Sequence, residues 1–250
     1  MNIKTNMVGG VHILMVTALA VFGAASANAD TMLMENGRNN YAGTVTGIGG
    51  NLTNAAWTGT SINYYRFGNS TDSGYRTTTL WRFNDSAGLG VGTIMSTATE
   101  HTVINSAELH LYATQSSITG GTFYVAPIMS DWTQASAEGK DVALPTIDTS
   151  KAVSVVIASF TSGNYYVFDA SAIVQNWVDS DYTNYGFAVY ALDDNVFVSQ
   201  VSNEYRSNLG QRPQLYIDYT ITIIPEPTTW FLLTTGAALL VALRYKRRAS

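Results

Sequence analysis

Side chains able to do covalent chemistry are scarce in this sequence. The 250 residues include no Cys and three His, which removes thiol nucleophiles and cysteine-based zinc sites. Away from the termini only His101 and His110 remain. Neither Gly-x-Ser-x-Gly nor His-Glu-x-x-His occurs, so the common serine-hydrolase and metalloprotease arrangements are missing. Carboxylates are plentiful enough for a glycosidase pair, but sequence alone does not bring two of them to the separation that chemistry needs. The residues point away from an enzyme, and a polysaccharide lyase or hydrolase is a distant alternative.

Binding chemistry is better represented. There are 15 Tyr, and tyrosine offers a flat apolar ring with a polar tip. Tyr64, Tyr65, Tyr75, Tyr165, Tyr166, Tyr182 and Tyr205 lie among Asn and Ser in loops or near strand ends. Gathered on one face they would make a platform for a sugar. The competing reading is that they are ordinary surface tyrosines supporting cross-strand pairs. Asp179, Asp181, Asp193 and Asp194, with Asn195, could offer oxygen ligands to Ca²⁺. No EF-hand spacing accompanies them, and solvated acidic turns are the plainer alternative. No other cofactor is implied.

These residues sit between two unusual ends. Lys4, an apolar run from Val11 to Phe22 and a small-residue Ala27-Asn28-Ala29 follow the order of a secretory signal peptide. Signal peptidase would cut after Ala29, or after Ala27, leaving residues 1–29 out of the fold. At the other end, Pro225-Glu226-Pro227-Thr228 precedes an uncharged stretch from Thr228 to Leu243. Arg244, Lys246, Arg247 and Arg248 follow it, which by the positive-inside rule would hold the C-terminus in the cytoplasm. The span, about 16 residues, is short for a membrane helix and suits a temporary stop; an ordinary tail anchor is the alternative. Pro225 and Pro227 are expected to keep the chain extended before it. Without both ends, eight basic and seventeen acidic residues remain, a net charge of −9. Such a surface repels phosphate backbones, so no nucleic-acid partner is expected. With no Cys, a secreted domain of this kind must be held by its core, which its length permits.

The residues between the ends favour strands. Thr77–Phe83, Ala107–Ala113, Thr122–Met129, Val153–Phe160, Tyr165–Phe168, Gly186–Leu192, Val196–Val201 and Gln214–Ile221 are alternating or rich in β-branched and aromatic residues. Ala107, Leu109, Leu111 and Ala113 share one face of their strand, with Glu108, His110 and Tyr112 on the other. Asp193-Asp194-Asn195 reads as a hairpin turn between its neighbours. Residues 30–61 contribute further short strands and loops. One short helix is expected, with Asp169 as its N-cap and Ile173, Val174, Trp177 and Val178 on its apolar face. The expected fold is an all-β, jelly-roll-like sandwich with this helix, flanked by a signal peptide and a C-terminal transmembrane helix.

Two resemblances add to this. The Pro-Glu-Pro, apolar stretch and basic cluster over residues 225–248 resemble a PEP-CTERM sorting signal. That implies processing by a membrane-embedded exosortase and delivery to the cell surface or extracellular polysaccharide. More loosely, residues 62–221 are similar to the DNRLRE-type β-sandwich, a relative of carbohydrate-binding modules. The likeness rests on Thr79–Phe83, Ile104–Tyr112, Asp131-Trp132-Thr133, Phe168–Trp177, Asn184–Phe187 and Arg212–Leu215. The second Thr-Trp-Asn-like segment of that family is missing between Ala135 and Leu144. Together these imply an exported, non-catalytic surface or matrix protein, held first at the inner membrane and associated with exopolysaccharide. A purely structural or adhesive protein with protein partners is the alternative.

Overall fold

Apolar residues recur at every second position along most of the domain, and the strands they form are antiparallel throughout. The structure is a computed structural model, and it describes residues 27–51, 64–70, 75–115, 119–137, 143–159, 161–193, 196–201, 208–224 and 227–249. Its strands are β1 (Ala27–Glu35), β2 (Thr44–Asn51), β3 (Tyr64–Ser70), β4 (Tyr75–Phe83), β5 (Glu100–Gln115) and β6 (Thr119–Pro127). They continue as β7 (Val153–Ser159), β8 (Tyr165–Asp169), β9 (Phe187–Ala191), β10 (Val196–Val201) and β11 (Gln214–Ile223). The helices are α1 (Gln134–Ala137), α2 (Ser171–Val178) and α3 (Pro227–Ala249).

One sheet places β1, β11, β5 and β8 side by side. The other runs β7, β6, β9, β4, β2, and β3 shares an edge of β4 with β9. Beyond β3 lies β10, whose Ser199 and Gln200 pair with Gln115 and Ala113 at the far end of β5. β5 thus belongs to both sheets of this all-β sandwich.

Between the sheets lie Leu109, Leu111 and Ala113 of β5, Leu215 and Ile217 of β11, and Trp81, Phe83, Phe123 and Phe187 of the facing sheet, all buried. The phase of β5 changes within its first half. Asn105 is an extra residue opposite the Asp218–Tyr219 step, a β-bulge. Ile104 and Thr102 therefore point inward although they are out of step with Ala107 and Leu109. The Asn105 amide holds the bulge by donating to Asp218 Oδ1 and Thr220 Oγ1, both at 3.0 Å.

β4 is covered on both faces, so Leu80 and Trp81 are consecutive and both fully buried. Leu80 packs outside the sheet with Ala188, Ile128 and Trp132. The Trp132 indole N–H donates to Tyr185 O at 2.7 Å. Arg82 ties the covering loop down through Asp131 Oδ1 (2.6 Å) and Trp132 O (3.2 Å). Gly186 has φ +93, and a Cβ there would lie 2.2 Å from Trp81 O, so this close strand approach requires glycine.

α2 takes over from β8 along one edge of β5. Ile173, Val174, Trp177 and Val178 are buried as the spacing predicts. Its exposed-side residues complete the edge. The Gln175 side chain accepts from Ile104 N at 2.7 Å and donates to Thr102 O at 3.1 Å, as a neighbouring strand would. Ser171 Oγ accepts from Ala107 N at 2.9 Å. The N-cap is Ala170, one residue later than expected. Asp169 still accepts from Ser171 N at 2.9 Å and Ser171 Oγ at 2.6 Å.

Two other expectations change. Asp193-Asp194-Asn195 does not close a hairpin: β9 has β4 and β6 on its edges, and β10 pairs with β3 and β5. With both edges of β9 taken, the chain must carry β10 to another part of the sheet. Pro227 opens α3 rather than holding it extended, because a missing N–H costs nothing in a helix's first turn. α3 has 23 residues, yet among the described residues no helix is long and apolar enough to cross a membrane. The membrane span expected over 228–243 is therefore not shown. Residues 1–26, most of the expected signal peptide, lie outside the described residues. Cleavage after Ala29 would fall inside β1 and leave Asp30–Glu35 paired with Gln214–Tyr219.

Replacing Gln175 with Ala removes the partner of one backbone donor and one acceptor on β5. Urea unfolding should show a loss of about 1–3 kcal/mol. A change no larger than a typical surface substitution, about 0.5 kcal/mol, would mean the amide does not complete the β5 edge.

Candidate functional site

Alternation places Glu108, His110 and Tyr112 together on the solvent side of β5. The strand pairing then sets their neighbours. On β8, Asp169 stands opposite Glu108, Val167 opposite His110 and Tyr165 opposite Tyr112. On β11, Tyr216 is opposite Glu108 and Gln214 opposite His110. The Tyr112 and Tyr165 rings meet edge to face at 5.2 Å, and His110 lies 6.0 Å from Tyr165. His110 Nε2 is 2.8 Å from Glu108 Oε2. Tyr216, Val167 and the Glu108 side chain are 36%, 42% and 43% exposed. From Tyr112 to Glu108 the strip spans roughly 13 Å of strand.

Tyr165 is the anchor of this group. Its hydroxyl donates to Gly210 O, with Arg212 O 3.3 Å away, and accepts from Gln214 Nε2 at 3.1 Å. Burial raises its pKa well above the usual tyrosine value, the nearby Glu35 and Tyr112 raise it further, and Arg38 opposes them. Glu35 is almost wholly buried; its Oε2 lies 3.4 Å from Arg38 Nη1, and its Oε1 has no hydrogen-bond partner. Arg212 Nη1 donates to Asn36 O at 3.0 Å, which ties the segment after β1 to the start of β11. The strip therefore offers aromatic rings, an imidazole, a carboxylate and an amide on a rigid base.

The other expected contacts lie elsewhere. Tyr166, next to Tyr165, points to the opposite face, packs against the core, and bonds Thr161 through its hydroxyl. Tyr182 lines a separate pocket of about 410 Å³ with Trp177, Asp85, Met95 and Asn184. Tyr64 and Tyr65 are on β3 and Tyr75 begins β4, all in the second sheet. Tyr205 lies outside the described residues. The structure thus brings Tyr165 together with Tyr112 and His110, not with Tyr166 or Tyr182, and sets Tyr216 at the other end of the strip beside Glu108. Tyr112 and Tyr216 lie outside the expected contact set, and the polar phase of their strands is the sequence signal for them.

The aspartates are also apart. Asp179 accepts from Ser96 Oγ at 3.1 Å and Gln175 Nε2 at 2.9 Å. Asp181 is exposed after α2. Asp193 accepts from Thr122 N at 2.8 Å on β6, and Asp194 lies outside the described residues. Among the described residues no three His, Asp or Glu side chains gather as a metal would require. Of the tail motif, Pro225 and Glu226 lie outside the described residues, while Thr228, Arg244, Lys246, Arg247 and Arg248 belong to α3.

No protein-family model matches the chain, and no curated protein matches it. Among solved structures, one similar chain comes from the cryo-EM structure of Mud crab tombus-like virus. The likeness covers 92% of this chain and 97% of that one, at 13% identity and a TM-score of 0.24. A superposition of that quality carries no weight for fold or function.

The raised pKa of Tyr165 has a sign. A neutral phenol preferred by the folded state contributes stability that is intact below about pH 10 and lost as pH rises beyond it. The melting temperature of the parent protein should therefore fall more steeply above pH 10 than that of Tyr165→Phe. Parallel curves would contradict the burial of this hydroxyl.

Proposed function

We propose that this is an exported, non-catalytic surface or extracellular-matrix protein that associates with exopolysaccharide through the solvent face of the β1-β11-β5-β8 sheet. The observation that carries the reading is the grouping of Tyr112, Tyr165 and His110 within 5.2–6.0 Å, bordered by Glu108 and Gln214. Sugars bind through apolar ring faces and directional hydrogen bonds, and this strip provides both. The sandwich is of the jelly-roll, DNRLRE-like kind. Its acidity favours neutral or cation-bridged glycans over nucleic acid.

The C-terminal segment we read as a PEP-CTERM-type sorting signal. Every described side chain from Thr234 to Tyr245 is exposed, including Leu239, Leu240 and Leu243. Apolar side chains left uncovered by their own domain suit a segment handed to a membrane and a processing enzyme. Signal peptidase and an exosortase-type enzyme are then the processing partners, and the cell surface or matrix is the destination. Replacing Pro225 and Glu226 by Ala should leave an uncut, membrane-fraction precursor on immunoblots of the host. Normal processing of that variant would contradict the assignment.

Affinity electrophoresis through gels containing the host's exopolysaccharide and common glycans tests the binding half. The purified protein should be retarded. Tyr112→Ala and Glu108→Gln should each weaken binding roughly threefold to tenfold, the size of one aromatic or hydrogen-bonded contact. Tyr182→Ala should have no effect. Migration unchanged by every glycan would remove this reading. It would leave a structural protein with protein partners, which the exposed Val156 and Leu192 favour. New reducing ends or unsaturated products in the same mixtures would point to a lyase or hydrolase.

A further inference from the structure

β7 is the last strand of its sheet, and among the described residues it pairs with β6 alone. A strand in that position leaves every second N–H and C=O along its outer edge without a partner, and proteins normally blunt such edges. At several other edges this one does, and β8, which pairs with β5 alone among the described residues, carries Asp169. α2 and Gln175 complete the edge of β5, α1 packs against β2, and β1 at the other end carries Asp30 on its exposed half. β7 has none of these protections. Ala152 to Ser159 is Ala-Val-Ser-Val-Val-Ile-Ala-Ser, without a charge, and Val156 at its centre is 76% exposed.

We propose that a second copy of this chain docks along β7, antiparallel, with a two-fold axis at Val156. Three features select a second copy. The first is charge: two domains of net −9 repel each other, and an uncharged edge is where they meet at least cost. The second is the order of residues. Antiparallel pairing about Val156 sets Val155 of one copy against Ile157 of the other on the inner face. On the outer face it sets Val156 against Val156 and Ser154 against Ala158. Val155 then meets Ile157 and Val156 meets Val156, with the small Ser154 and Ala158 beside them, a self-complementary order such as an isologous contact requires. The third is space. A groove of about 460 Å³ runs between β7 and β8, with Val153, Val155, Val167 and Phe168 on its apolar side and Asn105, Ser106, Glu108 and Asp169 on its polar side. It leaves room for the inward-facing side chains of the added strand. The pairing joins two copies of the second sheet into one continuous sheet; it leaves the Tyr112–Tyr165 end of the strip open and brings the added strand near its Glu108 end.

The absence of cysteine makes the test direct. In the full chain, Val156→Cys places two thiols opposite each other across the axis, with Cα atoms about 4.5–5.5 Å apart, a separation a disulfide spans. Ala158→Cys places its two copies roughly 13 Å apart, too far to bridge. Under mild oxidation Val156→Cys should run as a cross-linked dimer on non-reducing gels and Ala158→Cys as a monomer. Equal cross-linking of the two, or none of Val156→Cys, would overturn the proposal. In sedimentation equilibrium, Val156→Lys should weaken self-association at least tenfold with an unchanged circular-dichroism spectrum. Self-association undiminished in that variant would overturn it too. Glycan affinity is a separate readout and does not enter either result.

Discussion

β5 must satisfy two edges and two faces over 16 residues, and most of the domain is arranged to let it do so. β11 fills one edge along ten residues. The other edge is divided. Near its C-terminal end β8 provides the partner, and toward the N-terminal end α2 provides side chains instead of a strand. Its last residues reach β10 and so link the two sheets. An unpaired backbone group on a buried strand costs about as much as a lost hydrogen bond. That cost explains why an eight-residue helix, too short to persist in water by itself, is held where it is.

The same strand decides what the surface offers. Inward residues Leu109, Leu111 and Ala113 commit Glu108, His110 and Tyr112 to solvent, and the register with β8 and β11 then supplies Tyr165 and Gln214. The binding strip is thus a by-product of core packing on the opposite face. Its anchor, Tyr165, is half-buried and tied to the backbone at Gly210 and Arg212. Rings fixed in this way lose little freedom when a ligand arrives.

Strands were legible in the sequence where one face is buried, because β5, β8 and β11 alternate plainly. α2 was legible from the spacing of Ile173, Val174, Trp177 and Val178. What could not be read is pairing. The run around Asp193 looks like a hairpin locally, yet the edges of β9 are occupied by β4 and β6, which lie far away in sequence. The bulge at Asn105 hides the inward direction of Ile104 and Thr102, since one extra residue reverses the phase. The tyrosine set suffered for the same reason. Tyr165 and Tyr166 are adjacent, so a strand must send them to opposite faces. Tyr112 and Tyr165 come together only through the β5–β8 register. Ala107, Leu109, Leu111 and Ala113 of β5 and Ile173, Val174, Trp177 and Val178 of α2, which the spacing places on apolar faces, are all buried.

Mapping the amides perturbed by oligosaccharides of the host's exopolysaccharide, in an isotope-labelled sample, tests the central claim most directly. Shifts confined to Glu108–Tyr112, Tyr165–Val167 and Gln214–Tyr216 are predicted, with the amides around Tyr182 and on β7 unmoved. Shifts centred on the Tyr182 pocket, or none anywhere at saturating glycan, would contradict the account.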